Sequence, residues 1–313
     1  MSELAARAPG LRGRLTTRAA LASVAVALVL LGVKGVAAWR TSSVAMLGSL
    51  ADTGLDLVAS LVTLWGVRVA AVPADWDHRF GHGKAEALAA LFQVIVIALS
   101  AAGIAYEAIA RVLHGGATAH AGDGIAASLL ALGLTLALVA YQRRVVAATG
   151  SLAIHTDNVH YQSDLLLNGS VIAALVLDQY LGVRGADPLF GVGIALWLLW
   201  GAWGSATRAI DQLMDKEWPE EKRQRFLAVA ARHPELRGIH DLRTRSSGAH
   251  DFVQFHVWVA PEMSVAEAHR VMDEVEAKLA HAFPGVEILI HPDPEGHVDP
   301  GGAGPVEPSE PPR

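Results

Sequence analysis

The chain has 313 residues, of which 52% are hydrophobic and 18% charged, and its mean hydropathy is +0.34. Soluble domains carry closer to a quarter charged residues, so this composition indicates a membrane protein with a soluble part. The net charge of -6 and the lack of a basic stripe argue against a nucleic-acid-binding protein, and the absence of cysteine excludes disulfides and thiolate metal sites. Metal ligands must therefore come from His, Asp and Glu.

Six apolar runs follow a polar, arginine-bearing leader of residues 1–18, and each has the ~18 or more residues that a spanning helix needs. The leader and first run superficially resemble a signal peptide, but the run is too long and no small-residue cleavage site follows it. We therefore predict a six-helix transmembrane domain over residues 19–214. The predicted spans are Ala19–Trp39, Val44–Ala71, Ala85–Val112, Gly124–Tyr141, Ser151–Tyr180 and Pro188–Ile210.

Lys and Arg are distributed unevenly between the two sides of the membrane that these spans would cross. One side has only Arg40, Arg111 and Arg184. The other has Arg7, Arg12, Arg14, Arg18, Arg68, Arg79, Lys84, Arg143, Arg144, Arg208 and Lys216. The positive-inside rule predicts that both termini are cytoplasmic.

Residues 215–293 have the pattern of a small soluble domain. The predicted order is αββαβ, an α+β fold, and the second helix begins with a capping box made by Ser264 and Glu267. Residues 294–313 are rich in Pro, Gly and Glu and predict a disordered tail. The predicted elements are a polar helix over 218–233, strands over 238–246 and 251–259, an amphipathic helix over 264–283 and a strand over 286–291.

Two carboxylates lie inside the second predicted span. Asp52 and Asp56 are four residues apart, so on a helix they share one face, one turn apart. Acids at membrane depth are costly unless they pair, protonate or bind a cation, and such residues are functional by default. The alternative is that these two acids face other helices in a purely structural role.

Only the fifth predicted span has a comparable polar face, with His160 and Asp164 again four residues apart. At ~1.5 Å per residue, the two acids lie about 12–18 Å from the outer end of their span, and His160 and Asp164 about 13–20 Å from the inner end of theirs. The two pairs meet near the midplane if the helices are neighbours. One imidazole and three carboxylates suit tetrahedral Zn²⁺. Asp157 is off this face and is left out of the predicted site.

Such a ligand set couples metal binding to protons. Imidazole must be neutral and carboxylates ionised to bind a metal, so metal binding releases protons and protonation releases metal. Alternating exposure of the site to two compartments would then exchange metal for protons. Because protons are usually more abundant outside, the predicted direction is export of cytosolic metal.

Two further groups could bind metal. Asp75, His78 and His82 lie in the cytosolic connection between spans two and three, at spacings of three and four. The alternative for this connection is a solvated loop without a ligand. In the soluble domain, the candidates near the ends of elements are His240, His256, His269, His291 and Asp293, whereas we predict surface positions for His233, His250, His281 and His297.

These residues resemble the cation diffusion facilitator family, and within it the bacterial zinc and ferrous-iron efflux pumps, over about Leu21–Asp293. The run Phe-Gly-His-Gly-Lys-Ala-Glu at residues 80–86 is highly specific for that family. The matching stretches are Leu50–Asp56, Pro73–Glu86, His160–Asp164, His240–Arg245 and Ile290–Asp293. Two departures are Pro292, where a polar residue is usual, and a Tyr141–Ser151 connection without a His-rich insertion.

The resemblance implies six transmembrane helices and a metallochaperone-like cytosolic domain, assembled as a homodimer. It implies a transport site, a loop site and a binuclear cytosolic site. Their residues are Asp52, Asp56, His160 and Asp164 for the first, Asp75, His78 and His82 for the second, and His240, His256, His269, His291 and Asp293 for the third.

The sequence thus predicts a homodimeric Zn²⁺/H⁺ antiporter of the bacterial inner membrane, with Zn²⁺ as both cargo and structural ion, and not an enzyme. Fe²⁺, Cd²⁺, Mn²⁺ or Co²⁺ are alternative cargoes, although one His among carboxylates favours Zn²⁺ or Cd²⁺. An intramembrane metallohydrolase would usually need a His-Glu-x-x-His helix, which the sequence lacks. A metal-gated channel differs from an antiporter because its flux would not depend on a pH gradient.

Overall fold

A computed structural model describes residues 9–41, 44–114, 125–181 and 186–297. The chain divides into two units, Met1–Ile210 and Asp211–Arg313. The first eight residues of the predicted leader lie outside the described residues, as does the predicted tail from residue 298 onward.

Six long helices form the first unit, in agreement with the predicted spans. Among the described residues, all of them except α5 contain a segment long and apolar enough to cross a membrane. α5 has many polar residues in its first half, including Asp157, His160 and Asp164. The helices are α1 (Pro9–Thr41), α2 (Val44–Ala70), α3 (Ala85–His114), α4 (Ile125–Thr149), α5 (Leu152–Leu181) and α6 (Ala186–Leu213).

Close helix packing positions α5 at the centre of this unit, where it contacts α1, α2, α3 and α4. Small residues permit the approach, as in other membrane proteins. A Cβ atom added at Gly66 of α2 would lie 2.4 Å from the Cβ of Ala89 in α3, so only glycine fits there. The polar half of α5 therefore faces other helices.

The first helix begins earlier than the sequence predicted, at Pro9 inside the polar leader. Arg12 is 7% exposed and its guanidinium donates two hydrogen bonds to the Glu86 carboxylate, at 2.8 and 3.1 Å. Its Nε donates to the carbonyl of Thr149 at 3.0 Å, and the Ser151 hydroxyl donates to Glu86 at 2.8 Å. This buried ion pair joins α1, α3 and the α4–α5 connection.

The second unit has the predicted αββαβ order. Its elements are α7 (Glu220–Ala230), β1 (Gly238–Ser247), β2 (His250–Val259), α8 (Val265–Ala282) and β3 (Val286–Pro294). The sheet order is β1-β2-β3, with β2 antiparallel to β1 and parallel to β3. The capping box of Ser264 and Glu267 is confirmed at the start of α8.

The two faces of β2 differ in their surroundings. Its aliphatic face packs into the core with Phe226 of α7 and with Val271 and Leu279 of α8, while His256 lies on the opposite face. One surface prediction was wrong. His233 is 4% exposed and its Nε2 lies 3.2 Å from Glu274, because the turn after α7 packs against α8.

Candidate metal sites

The structure brings together three of the four side chains predicted for the intramembrane site. Ligand atoms of Asp56, His160 and Asp164 all lie within 4.8 Å of one another. His160 Nε2 is 3.0 Å from Asp56 Oδ1, and the His160 side chain is 2% exposed. α2 and α5 therefore meet at Asp56 and His160.

The fourth predicted residue, Asp52, is not part of this group. Its side chain is exposed, although it lies one helical turn before Asp56 on α2. Asp52 would have to move relative to Asp56, His160 and Asp164 for all four to contact one cation.

A buried polar network holds the first half of α5 in place. Asp157, which is completely buried, accepts hydrogen bonds from Ser23 at 2.6 Å, Gln142 at 2.7 Å and Gln93 at 3.2 Å. These donors belong to α1, α4 and α3, so the carboxylate links three helices to α5. Because Asp157 lies nearly one turn before His160, the network also sets the position of the imidazole.

The predicted loop residues converge. Asp75, His78 and His82 present ligand atoms within 4.8 Å of one another. The two imidazole rings are 4.4 Å apart, and the buried Nδ1 of His82 has no hydrogen-bond partner among the described residues. A hydrogen bond of 2.6 Å from the backbone N–H of His78 lowers the pKa of the exposed Asp75 carboxyl, so it is an anion ready to bind a cation.

In the second unit, strand register forms a row of imidazoles. His240 of β1 is paired with His256 of β2, which is paired with His291 of β3. Ligand atoms of His240, His256 and Asp293 lie within 4.8 Å of one another. A β-bulge directly after His240 contains Asp241, at a φ of 46°. Bulges of this kind re-aim neighbouring side chains next to binding sites.

Asp293 connects this row. Its Oδ2 is 3.1 Å from His240 Nε2 and 2.9 Å from His256 Nδ1, and its Oδ1 is 3.3 Å from His291 Nε2. Burial raises the pKa of Asp293, but the hydrogen bond from His256 and the charge of His291 outweigh burial, so the net pKa is lowered. An ionised carboxylate at the centre of three imidazoles suits Zn²⁺.

The remaining two predicted ligands of this domain lie at its surface. His269 is 77% exposed and lies 3.7 Å from Asp273 on the same helix, and it is outside the three-residue group. His291 is 61% exposed, and its contact with that group is the one between its Nε2 and Asp293 Oδ1. The three remaining side chains, His240, His256 and Asp293, are close enough together to bind one metal ion. The buried Nδ1 of His240 has no hydrogen-bond partner among the described residues.

The structure shows contacts of three charged residues that the sequence did not predict. Arg12 pairs with Glu86, and Lys34 contacts α2. Lys34 donates a hydrogen bond of 2.7 Å to Thr53, the residue after Asp52. For Lys34, the available signal was an ionisable residue inside an apolar run, the same signal that singled out Asp52 and Asp56.

Comparison with known proteins extends over nearly the whole chain. Residues 20–214 match the family described as the cation efflux transmembrane domain, and residues 218–295 match the cation efflux protein cytoplasmic domain. The cation-efflux pump FieF of Klebsiella pneumoniae is 42% identical over 286 residues, which cover 91% of this chain and 95% of that protein. FieF of Escherichia coli O127:H6 is 41% identical over 282 residues, covering 90% and 94%.

Two solved structures each match about a quarter of this chain. The zinc form of CzrB is 40% identical and covers 28% of this chain and 99% of that one, with a TM-score of 0.24. The metal-bound C-terminal domain of the CzcD transporter from Thermotoga maritima is 25% identical and covers 26% and 99%, with a TM-score of 0.25. The full-length relatives are named as pumps, which are transporters and not enzymes.

Proposed function

Because this chain belongs to the cation diffusion facilitator family and is a multi-pass cation efflux transporter, we propose that it exports Zn²⁺ in exchange for protons at a site between α2 and α5. The proposed ligands are Asp52, Asp56, His160 and Asp164. The observation that carries this proposal is the group formed by Asp56, His160 and Asp164, whose ligand atoms lie within 4.8 Å of one another. Carboxylates and an imidazole so close together inside a membrane unit need a cation or protons between them.

The donor set supports Zn²⁺ as the cargo. Imidazole nitrogen with carboxylate oxygens suits borderline divalent ions, whereas Mn²⁺ would favour oxygen ligands alone. Fe²⁺, Cd²⁺ and Co²⁺ remain alternative cargoes for the same ligands. Asp52 would complete a tetrahedral set when its turn of α2 rotates toward His160.

Proton exchange follows from the same ligands. Zn²⁺ binds when the carboxylates are ionised and the imidazole is neutral, so a proton-rich outer compartment displaces the metal and a proton-poor cytoplasm lets it bind. The excess of Lys and Arg at one end of the spans supports cytoplasmic termini, and the resemblance to bacterial pumps supports the inner membrane.

A flux experiment tests the exchange. Purified protein in proteoliposomes is expected to take up Zn²⁺ several-fold faster with an imposed pH gradient than without one, because protons leaving the acidic lumen drive metal in. Flux would be read with a luminal Zn²⁺-sensitive dye, with Fe²⁺, Cd²⁺, Mn²⁺ and Co²⁺ measured in parallel. Metal flux that ignores the pH gradient would indicate a channel and overturn antiport.

The second unit is proposed to bind structural Zn²⁺ and to contribute to a homodimer. The domain match to the cytoplasmic part of cation efflux proteins supports this assignment. The buried His240 and Asp293 and the half-buried His256 are the proposed core of the site, with His269 and His291 as outer ligands. A proposed loop site of Asp75, His78 and His82 offers a further acceptor for cytosolic metal.

Zn²⁺ binding to the second unit gives a direct prediction. A soluble fragment beginning at Asp211 is expected to bind Zn²⁺, and His240→Ala is expected to weaken binding by at least about tenfold, because it removes a buried ligand. Isothermal titration calorimetry measures both. His281→Ala, which removes an exposed imidazole at the end of α8, is the matched control, and equal losses in the two variants would count against the site.

A further inference from the structure

Lys34 is an intramembrane cation that the proposed transport site does not use as a ligand. It lies in α1 within the candidate span Gly10–Val36. A lysine so near the end of a span ordinarily extends its ammonium toward the membrane surface. Here its Nζ donates a hydrogen bond of 2.7 Å to the Thr53 hydroxyl, which is 1% exposed. The ammonium is therefore directed inward, toward α2.

Thr53 places this ammonium beside the carboxylates. Thr53 follows Asp52 directly and precedes Asp56 by three residues, so it shares a helix face with Asp56. Asp164 of α5 belongs to the same group, because its ligand atom lies within 4.8 Å of those of Asp56 and His160. A protonated lysine has no lone pair and cannot bind a metal, so its effect on the site is purely that of its charge.

The formal charges suggest what this cation does. Asp52, Asp56 and Asp164 carry -3 when ionised, and a divalent metal with a neutral imidazole brings the site to -1. Lys34 removes this last negative charge, which would be costly inside a membrane. In the empty site, its charge partly compensates the three carboxylates and repels an arriving cation.

We propose that Lys34 is the permanent counter-charge of the transport site, which neutralises the metal-loaded state and keeps metal affinity low enough for release. This inference rests on the proposed function, because it assumes that the three acids and His160 bind the cargo. The positive charge of Lys34 changes the metal affinity of the site electrostatically. The Thr53 hydroxyl holds the Lys34 ammonium in position.

The test uses the sign of the change in affinity. Removing the charge with Lys34→Met is expected to lower the KM for Zn²⁺ uptake by roughly tenfold and to lower kcat as well, since the metal is held more tightly and leaves more slowly. Lys34→Arg, which keeps the charge, is expected to restore KM toward the original value. A purely structural role would instead raise KM or lower the yield of folded protein.

Equilibrium binding separates this inference from the proposed function. Binding of radioactive Zn²⁺ is measured for the full chain and for Lys34→Met, each with and without Asp56→Ala, so that the Asp56-dependent component reports the transport site. That component should tighten in Lys34→Met, and Val36→Met at an exposed position of α1 is the packing control. If the component exists but does not tighten, the role of Lys34 is refuted; if the full chain lacks it, the proposed site fails.

Discussion

Zn²⁺ uptake into proteoliposomes is expected to fall on the order of a hundredfold or more when Asp56 is replaced by alanine. Its Oδ1 lies 3.0 Å from His160 Nε2, at the closest contact between α2 and α5 in the proposed site. Loss of residues that merely support a metal ligand typically costs about 10–100-fold, so loss of a ligand costs more. The measurement is initial rate against Zn²⁺ concentration under a fixed pH gradient.

Controls for this experiment distinguish the loss of a metal ligand from the loss of any acidic side chain in the membrane unit. Glu107→Gln changes an exposed acid on α3 and is expected to leave uptake unchanged. Asp52→Ala is expected to resemble Asp56→Ala, because the proposed tetrahedral site needs Asp52 as its fourth ligand. Undiminished uptake by Asp52→Ala would restrict the site to three residues, and undiminished uptake by Asp56→Ala would contradict the site altogether.

Replacing Arg12 with alanine is expected to destabilise the membrane unit by about 3–5 kcal/mol, the usual cost of leaving one partner of a buried ion pair without the other. Among the described residues, Glu86 would keep only the side-chain hydrogen bond from Ser151, in a position where its side chain is 2% exposed. Thermal unfolding of detergent-purified protein, followed by tryptophan fluorescence, measures the loss as a lower melting temperature.

A charge-neutral double replacement tests the cause of this loss. Arg12→Met with Glu86→Leu removes both charges and is expected to be more stable than either single variant, since no uncompensated charge stays buried. Arg143→Ala removes an exposed arginine from the same unit, which donates a hydrogen bond to Gln162, and should change the melting temperature little. Equal losses in Arg12→Ala and Arg143→Ala would rule out a special role for the buried pair.

Several features could be read from the sequence because they depend on local periodicity. Apolar runs of membrane length predicted the six helices. Spacings of four placed His160 with Asp164 on one helix face, and the distances along the two spans predicted that this face would meet Asp56. The spacings of three and four in the loop likewise predicted the convergence of Asp75, His78 and His82.

Register across the sheet could not be predicted in the same way. The row formed by His240, His256 and His291 depends on one antiparallel pairing, one parallel pairing and a bulge after His240. A shift of one residue would turn each imidazole to the other face. His269 was an equal candidate along the chain, yet α8 carries it on an exposed face.

The presence of six long helices and the acids and imidazole on their faces were thus predicted from the sequence alone, because hydrophobic period and residue spacing act within one element. Only the tertiary structure decided that Asp52 lies outside the closest group, that Asp157 connects four helices and that Arg12 pairs with Glu86. These outcomes depend on how the helices rotate and pack against one another. Residues that lie far apart in the chain determine this packing together. Lys34 belongs to the same class, since the direction of its ammonium depends on the neighbouring α2 and not on α1.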